Sequence, residues 1–173
     1  KSVNGWIIRS GTKITSESLS ITKSLQVIGR AGVGVDNIDI QESTRKGVVV
    51  LNTPDSNTIS AAEHTTGLIL TISRNIHLGH MSLVSNLWDR HKLIGYEIRN
   101  KTIGIVGLGK IGKEVISRCL GFDMKVLGYD PFVNQEMFDK EKILITDLNT
   151  LVEESDYISI HVPLKKKKKN LFN

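Results

Sequence analysis

An α/β fold built on parallel sheets is what this 173-residue sequence predicts. Three observations carry the prediction. Apolar, β-branched runs of strand length alternate with helix-like segments along the whole chain. One of them, Thr102–Val106, runs directly into the spacing G-x-G-x-x-G at Gly107, Gly109 and Gly112. A further apolar run, Lys125–Tyr129, ends on an acid, Asp130. Repeated strand–helix alternation needs helical crossovers, and crossovers make neighbouring strands parallel.

Taken in order, residues 3–9 read as a strand around Trp6-Ile7-Ile8, and 16–23 as a short helix. Residues 25–29 form the second strand and 47–51 the third. The helix between them covers 39–46, with Asp39 as its N-cap. Asn52-Thr53-Pro54 breaks the pattern, and we place a domain boundary there, 1–54 against 55–173. Residues 60–74 carry Ala61, Leu68, Ile69 and Ile72 at helical spacing, which reads as a core-facing helix or as a contact between copies. From 80 to 100 the pattern is polar and irregular, a short helix and loop. The glycine-flanked strand then opens a second α/β unit, with later strands at 125–129, 142–145 and 157–161.

The second unit has the parts of a dinucleotide-binding βαβ fingerprint: strand, glycines, helix, second strand and terminal acid. Gly107 lets the chain turn tightly, Gly109 removes a Cβ where backbone meets pyrophosphate, and Gly112 lets the helix sit close to the strand. The helix start offers N–H groups and a partial positive charge to phosphate. Asp130 stands 18 residues after Gly112 and suits the adenosine ribose hydroxyls. It would repel a 2′-phosphate, and Pro131 follows it with no Arg to hold one, so NAD is expected over NADP. This unit is therefore expected to be a Rossmann-type, doubly wound parallel sheet.

Composition bounds the rest. The chain is 39% apolar and 24% charged, an ordinary globular balance. No apolar run nears the roughly 18 residues of a membrane span, and no membrane partner is expected. Net charge is +5, and five consecutive lysines at 165–169 supply all of it. That block has no interleaved aromatics and reads as a solvated loop, so no nucleic-acid partner is expected. Cys119 is the single cysteine, which excludes an internal disulfide. Its apolar neighbours suit a buried thiol, and a reducing, cytoplasmic setting fits. The absence of Met at Lys1 and of any cap at Asn173 reads as a piece cut from something longer. His77, His80 and His91 lack metal-ligand spacing, so no metal is expected. His64 follows Glu63 on the long helix and reads as a packed or interface residue.

Arg9 and Arg30 stand at the ends of the first two strands, where ligands of open parallel sheets collect. Arg suits bidentate contact with carboxylate or phosphate, and Gly32 and Gly34 flank Val33 in a loop that a small anion can approach. Equally, both arginines read as surface residues with packed stems.

Several segments together resemble the D-isomer-specific 2-hydroxyacid dehydrogenases. They are Gly29-Arg30-Ala31-Gly32-Val33-Gly34-Val35-Asp36-Asn37-Ile38-Asp39, Asn52-Thr53-Pro54, Ser60-Ala61-Ala62-Glu63, Gly107-Leu108-Gly109-Lys110-Ile111-Gly112, Gly128-Tyr129-Asp130-Pro131 and His161-Val162-Pro163-Leu164. The resemblance covers essentially the whole chain. It implies that the first unit is part of a flavodoxin-like α/β substrate domain, and that NAD accepts hydride from a small phosphorylated hydroxy acid. It implies Arg9, Arg30 and Gly32 on the substrate. It further implies Val33, Gly107, Gly109, Lys110, Ile111, Gly112, Asp130, Val162 and Pro163 on the cofactor. Two departures stand out: Val33 occupies a position that is often Thr, and the lysines at 165–169 replace a mix of Thr and Ser. The family's catalytic Arg, Glu and His are expected beyond Asn173. His161, at a strand end, matches none of them and suits a structural or cofactor-side role. Relatives of this kind are usually dimers or tetramers. Another D-2-hydroxyacid dehydrogenase, an NAD-sensing binding module on the same fold, or a copy without function, are the alternatives.

Overall fold

The computed structural model describes residues 3–162 and divides into two compact units, residues 1–57 and 58–173. In the first, strands β1 (Gly5–Ile8), β2 (Val27–Arg30) and β3 (Val49–Asn52) form a parallel sheet in that order. Helices α1 (Ser16–Ser20) and α2 (Ile40–Arg45) make the crossovers. Asp39 caps α2, its carboxylate accepting from the Glu42 N–H at 2.9 Å, as the sequence predicts. Register puts Trp6, Ile28 and Val50 on one face, where they pack with Ile8, Leu19 and Ile38. The opposite face shows Ile7, Val49 and Leu51 to solvent, Ile7 with 89% of its surface open.

The second unit begins with α3 (Thr58–Ser73) and α4 (Ile76–Val84). They are separated at Asn75, which takes a left-handed φ of 53°. Strand β4 (Thr102–Val106), helix α5 (Lys110–Gly121), β5 (Lys125–Tyr129), β6 (Ile143–Ile145), α6 (Leu148–Glu154) and β7 (Tyr157–Ile160) follow. The sheet is parallel, ordered β6-β5-β4-β7. The chain thus steps outward from β4 to β6 and returns through α6 to the other side of β4, which makes a doubly wound sheet with a switch point between β4 and β7.

Strand alternation explains both layers. Ile103 and Ile105 of β4 and Val126 of β5 face Val115, Ile116 and Cys119 of α5 and Ala62 and Ile69 of α3. Val106 and Leu127 face Leu151 of α6. Gly104 permits that second contact, since a Cβ there would run into the Leu151 side chain. Among the described residues no helix is long and apolar enough to cross a membrane.

Two expectations about local structure change. Leu68 and Ile72 are exposed, and the buried stripe of α3 is Ala62, Thr66, Ile69 and Ser73. Its hydroxyls are satisfied within the helix, Thr66 Oγ1 donating to the Ala62 carbonyl at 2.9 Å and Ser73 Oγ to that of Ile69 at 2.6 Å. These bonds remove the cost of burying a polar group, so small polar residues form the packing face. The short helix expected within 80–100 instead begins at Ile76, inside an apolar stretch of which no residue is buried.

Candidate functional site

The carboxyl ends of β4, β5 and β7 meet around the glycine turn. Gly107 takes φ +98°, and its N–H donates to the Tyr129 carbonyl at 2.8 Å. A Cβ there would lie 2.6 Å from the His161 carbonyl oxygen and 2.8 Å from Val162 Cγ1. Gly112, buried in the first turn of α5, sits against the Gly107 carbonyl, where a Cβ would collide with backbone. Both glycines are demanded by the fold itself.

Gly109 is different. Its φ of −73° and ψ of −164° are open to any residue, and no atom lies within 4 Å of the place a Cβ would occupy. Nothing in the protein needs glycine there, but a group lying against the backbone would. Gly109 is also the N-cap of α5, with no side chain capping the helix. The first turn therefore presents backbone donors and the positive end of the helix dipole at that open space. Lys110 opens the helix, and Ile111 is half-buried against the larger core.

Asp130 anchors the site. Its Oδ2 accepts from the Leu108 N–H and its Oδ1 from the Phe132 N–H, both at 3.0 Å. A carboxylate offers about four acceptor positions, so two remain for ribose hydroxyls. The spacing of glycines and acid could not reveal this brace between turn and strand end. A dinucleotide fits the donor set: amides and helix dipole for pyrophosphate, carboxylate for ribose, open space above Gly109.

His161 lies just past β7 and donates its N–H to the Val106 carbonyl at 2.7 Å. Its Nε2 is 2.9 Å from Ser159 Oγ, and burial holds the imidazole below its ordinary pKa. It is thus neutral at pH 7 and built into the strand end. Burial pushes the Cys119 thiol up to about 11, which leaves it unreactive. Among the described residues no three His, Cys, Asp or Glu side chains are grouped to hold a metal ion. Pro163 and the lysines at 165–169 lie outside the described residues.

In the first unit the arginines share the carboxyl-terminal edge of the sheet. Arg30 ends β2 opposite Ile8, and Arg9 is the next residue of the neighbouring strand. Arg9 is exposed, whereas the Arg30 guanidinium lies over Gly32, in the space a Cβ would fill. Arg30 Nε is buried without a hydrogen-bond partner. The loop beneath is pinned from the ends of β1 and β3. Ala31 N–H donates to the Ile8 carbonyl at 2.9 Å, Thr53 N–H to that of Gly32 at 3.1 Å, and Asn52 Nδ2 to that of Val33 at 2.7 Å. Asn52, read from the sequence as part of a break and of a segment that carries the family resemblance, thus holds the loop. The Val33 carbonyl is occupied, so a contact at this residue would be apolar or through its N–H. A rigid loop, a guanidinium seated on it and an unpaired Nε suit a small anion.

Comparison with known proteins agrees with a dinucleotide site in the second unit. Residues 66–173 match the family model of the D-isomer specific 2-hydroxyacid dehydrogenase NAD binding domain. The chain is similar to D-3-phosphoglycerate dehydrogenases: 44% identical to that of Methanocaldococcus jannaschii, over 95% of this chain and 32% of the relative. For that of Homo sapiens the identity is 42%, over 98% of this chain and 32% of the relative. Among solved structures, D-lactate dehydrogenase from Aquifex aeolicus complexed with NAD and lactic acid superposes with a TM-score of 0.86 at 33% identity. That match covers all of this chain and 52% of the other. NAD-dependent formate dehydrogenase from Staphylococcus aureus, in complex with NAD, gives 0.88 at 31% identity, over 99% of this chain and 52% of the other. The chain spans about a third of the length of the curated relatives it matches.

Proposed function

The chain belongs to the D-isomer specific 2-hydroxyacid dehydrogenases, and from that premise we propose that the polypeptide carrying it oxidises 3-phospho-D-glycerate to 3-phosphohydroxypyruvate with NAD, the entry step of L-serine biosynthesis. The observation that carries the choice of substrate is the buried, unpartnered Arg30 Nε at the edge that Arg9 shares. A phosphorylated hydroxy acid has two anionic ends, and two guanidinium groups at one edge match them. The relatives named D-3-phosphoglycerate dehydrogenase support the same reading.

NAD, when bound, supplies the hydride acceptor. The chain's own residues hold and orient it. Gly107 and Gly112 shape the turn, Gly109 leaves space for pyrophosphate, and the amides of Lys110 and Ile111 face it. Asp130 accepts from the ribose hydroxyls and Val162 flanks the adenosine half, while Val33 and Pro163 are assigned to the cofactor by the family resemblance alone. Arg9, Arg30 and the Gly32 backbone hold the substrate's anionic groups. His161, neutral and engaged with Ser159, keeps a structural role. We assign the base that takes the hydroxyl proton to the length of the family that this chain does not span.

Replacing Arg30 with Ala in the full-length protein is expected to raise KM for 3-phosphoglycerate about 100-fold, the loss of a charge-assisted bidentate contact worth about 3 kcal/mol. NAD affinity should stay within twofold. Steady-state kinetics and calorimetry check both, and an unchanged KM would overturn the substrate assignment.

Homo-oligomerisation is part of the reading. Helix α4 buries none of its residues, although Ile76, Leu78, Met81, Leu83 and Val84 all lie on it. Exposed apolar surface on this scale marks an interface, and a second copy is the occupant we propose. Met81→Asp with Val84→Asp should lower the mass seen by sedimentation equilibrium to that of one chain. An unchanged mass would place the interface elsewhere.

A further inference from the structure

We propose that Asn37 is the positioning residue for Arg9: its side-chain amide fixes the turn that carries the guanidinium, and so sets the span from Arg9 to Arg30. The inference rests on the assignment of Arg9 and Arg30 to the anionic ends of the substrate. Arg9 opens the stretch 9–13, exposed at every residue, between Ile8 and Ile14, which are both buried. The Thr12 N–H closes a turn there on the Arg9 carbonyl at 3.2 Å. Gly11 lies inside that turn, and a Cβ on it would meet nothing within 4 Å. Packing does little to hold such a turn in place.

Asn37 supplies the missing restraint. Its Nδ2 donates to the Arg9 carbonyl at 3.1 Å and to the Thr12 carbonyl at 2.6 Å, so one amide group holds both ends of the turn. Asn37 is itself fixed by the core. Its carbonyl accepts from the Ile14 N–H at 2.8 Å, and Ile14 forms a parallel bridge with the buried Ile38. The loop that ends at Asn37 begins just after Arg30 and carries Gly32, over which the Arg30 guanidinium lies. One loop therefore meets both arginines. Among the described residues two buried side-chain polar atoms lack a hydrogen-bond partner, Arg30 Nε and Asn37 Oδ1. An unpaired buried acceptor is destabilising, and a small apolar residue at 37 would avoid it. What asparagine adds is two donations from one atom; a hydroxyl has one hydrogen to give and a carboxylate none. Arg9 is the charged side chain of the turn they hold. Fixing its base in advance lowers the cost of ordering it on a ligand with two anionic ends.

The test is a double-mutant cycle on Asn37 and Arg9 in the full-length protein, read by steady-state kinetics with 3-phosphoglycerate and NAD⁺. Asn37→Ala should raise KM for 3-phosphoglycerate about tenfold, the size of one or two hydrogen bonds, with kcat and NAD⁺ affinity within about twofold. Arg9→Ala should raise KM further, and adding Asn37→Ala to it should change KM by less than about twofold, because the positioned group is gone. If Arg9→Ala raises KM and Asn37→Ala does not, the positioning role is wrong while the reading of Arg9 stands. A tenfold effect that persists in the Arg9→Ala background would also overturn the proposal, since Asn37 would then act on the fold at large. Should Asn37→Ala fail to fold, Asn37→Ser takes its place in the cycle; failure of both would make Asn37 a residue of the fold alone and sink the proposal. If the wild type does not oxidise 3-phosphoglycerate, or Arg9→Ala leaves KM unchanged, the substrate reading itself fails and the role of Asn37 with it.

Discussion

Gly109→Val is expected to leave the fold standing and to weaken NAD binding by about 100-fold or more. The two halves of that result come from the same observation. A Cβ at 109 meets no protein atom within 4 Å, and the backbone angles suit any residue. The fold therefore has no steric objection, and the poorer helix cap should cost at most about 1 kcal/mol. A bound pyrophosphate would need the space the isopropyl group fills. Displacing it from the start of α5 removes backbone hydrogen bonds and the favourable end of the helix dipole together. A 100-fold loss corresponds to about 2.7 kcal/mol, in line with losing one or two bonds to a charged group. Thermal melting followed by circular dichroism and calorimetric titration with NAD⁺ separate the two halves. Wild-type affinity in the variant would show that the pyrophosphate lies elsewhere.

That contrast between glycines also shows what the sequence could and could not reveal. The motif assigns Gly107 to the turn and Gly109 to the pyrophosphate by spacing alone. The packing supplies the physical ground, with Gly107 crowded by His161 and Val162 and Gly109 facing open space. Strands were legible because their β-branched runs are short and sharply bounded; Lys125–Tyr129 matches residue for residue. The packing face of α3 was not, because counting apolar residues favours Leu68 and Ile72 over Thr66 and Ser73. Two hydroxyl-to-carbonyl bonds reverse that ranking, and no periodicity displays them. Helix α6 had a start signal that went unread, Asp147, whose carboxylate accepts from the Asn149 and Thr150 N–H groups. The braces of the candidate site were the least legible of all. Asp130 to Leu108 and Asn52 to Val33 join residues about twenty positions apart through backbone groups, which carry no sequence signature.

Gly112→Ala should give the opposite result to Gly109→Val, a loss of stability first. Alanine in a helix is worth about 1 kcal/mol over glycine, so propensity alone predicts a more stable protein. Here the added Cβ collides with the Gly107 carbonyl, and that partner is backbone held by its own turn, unable to rotate away as a side chain would. Overpacking of this kind costs about 3 kcal/mol when backbone must shift. The clash outweighs the propensity, leaving the variant about 2 kcal/mol less stable, with a melting temperature lower by about 6 °C. NAD affinity should fall as well, because the shifted atom belongs to the turn that shapes the site. A variant that melts at or above the wild-type temperature would mean that α5 relaxes away from β4 freely. In that case the tight contact between helix and glycine turn would not be what holds the site in shape.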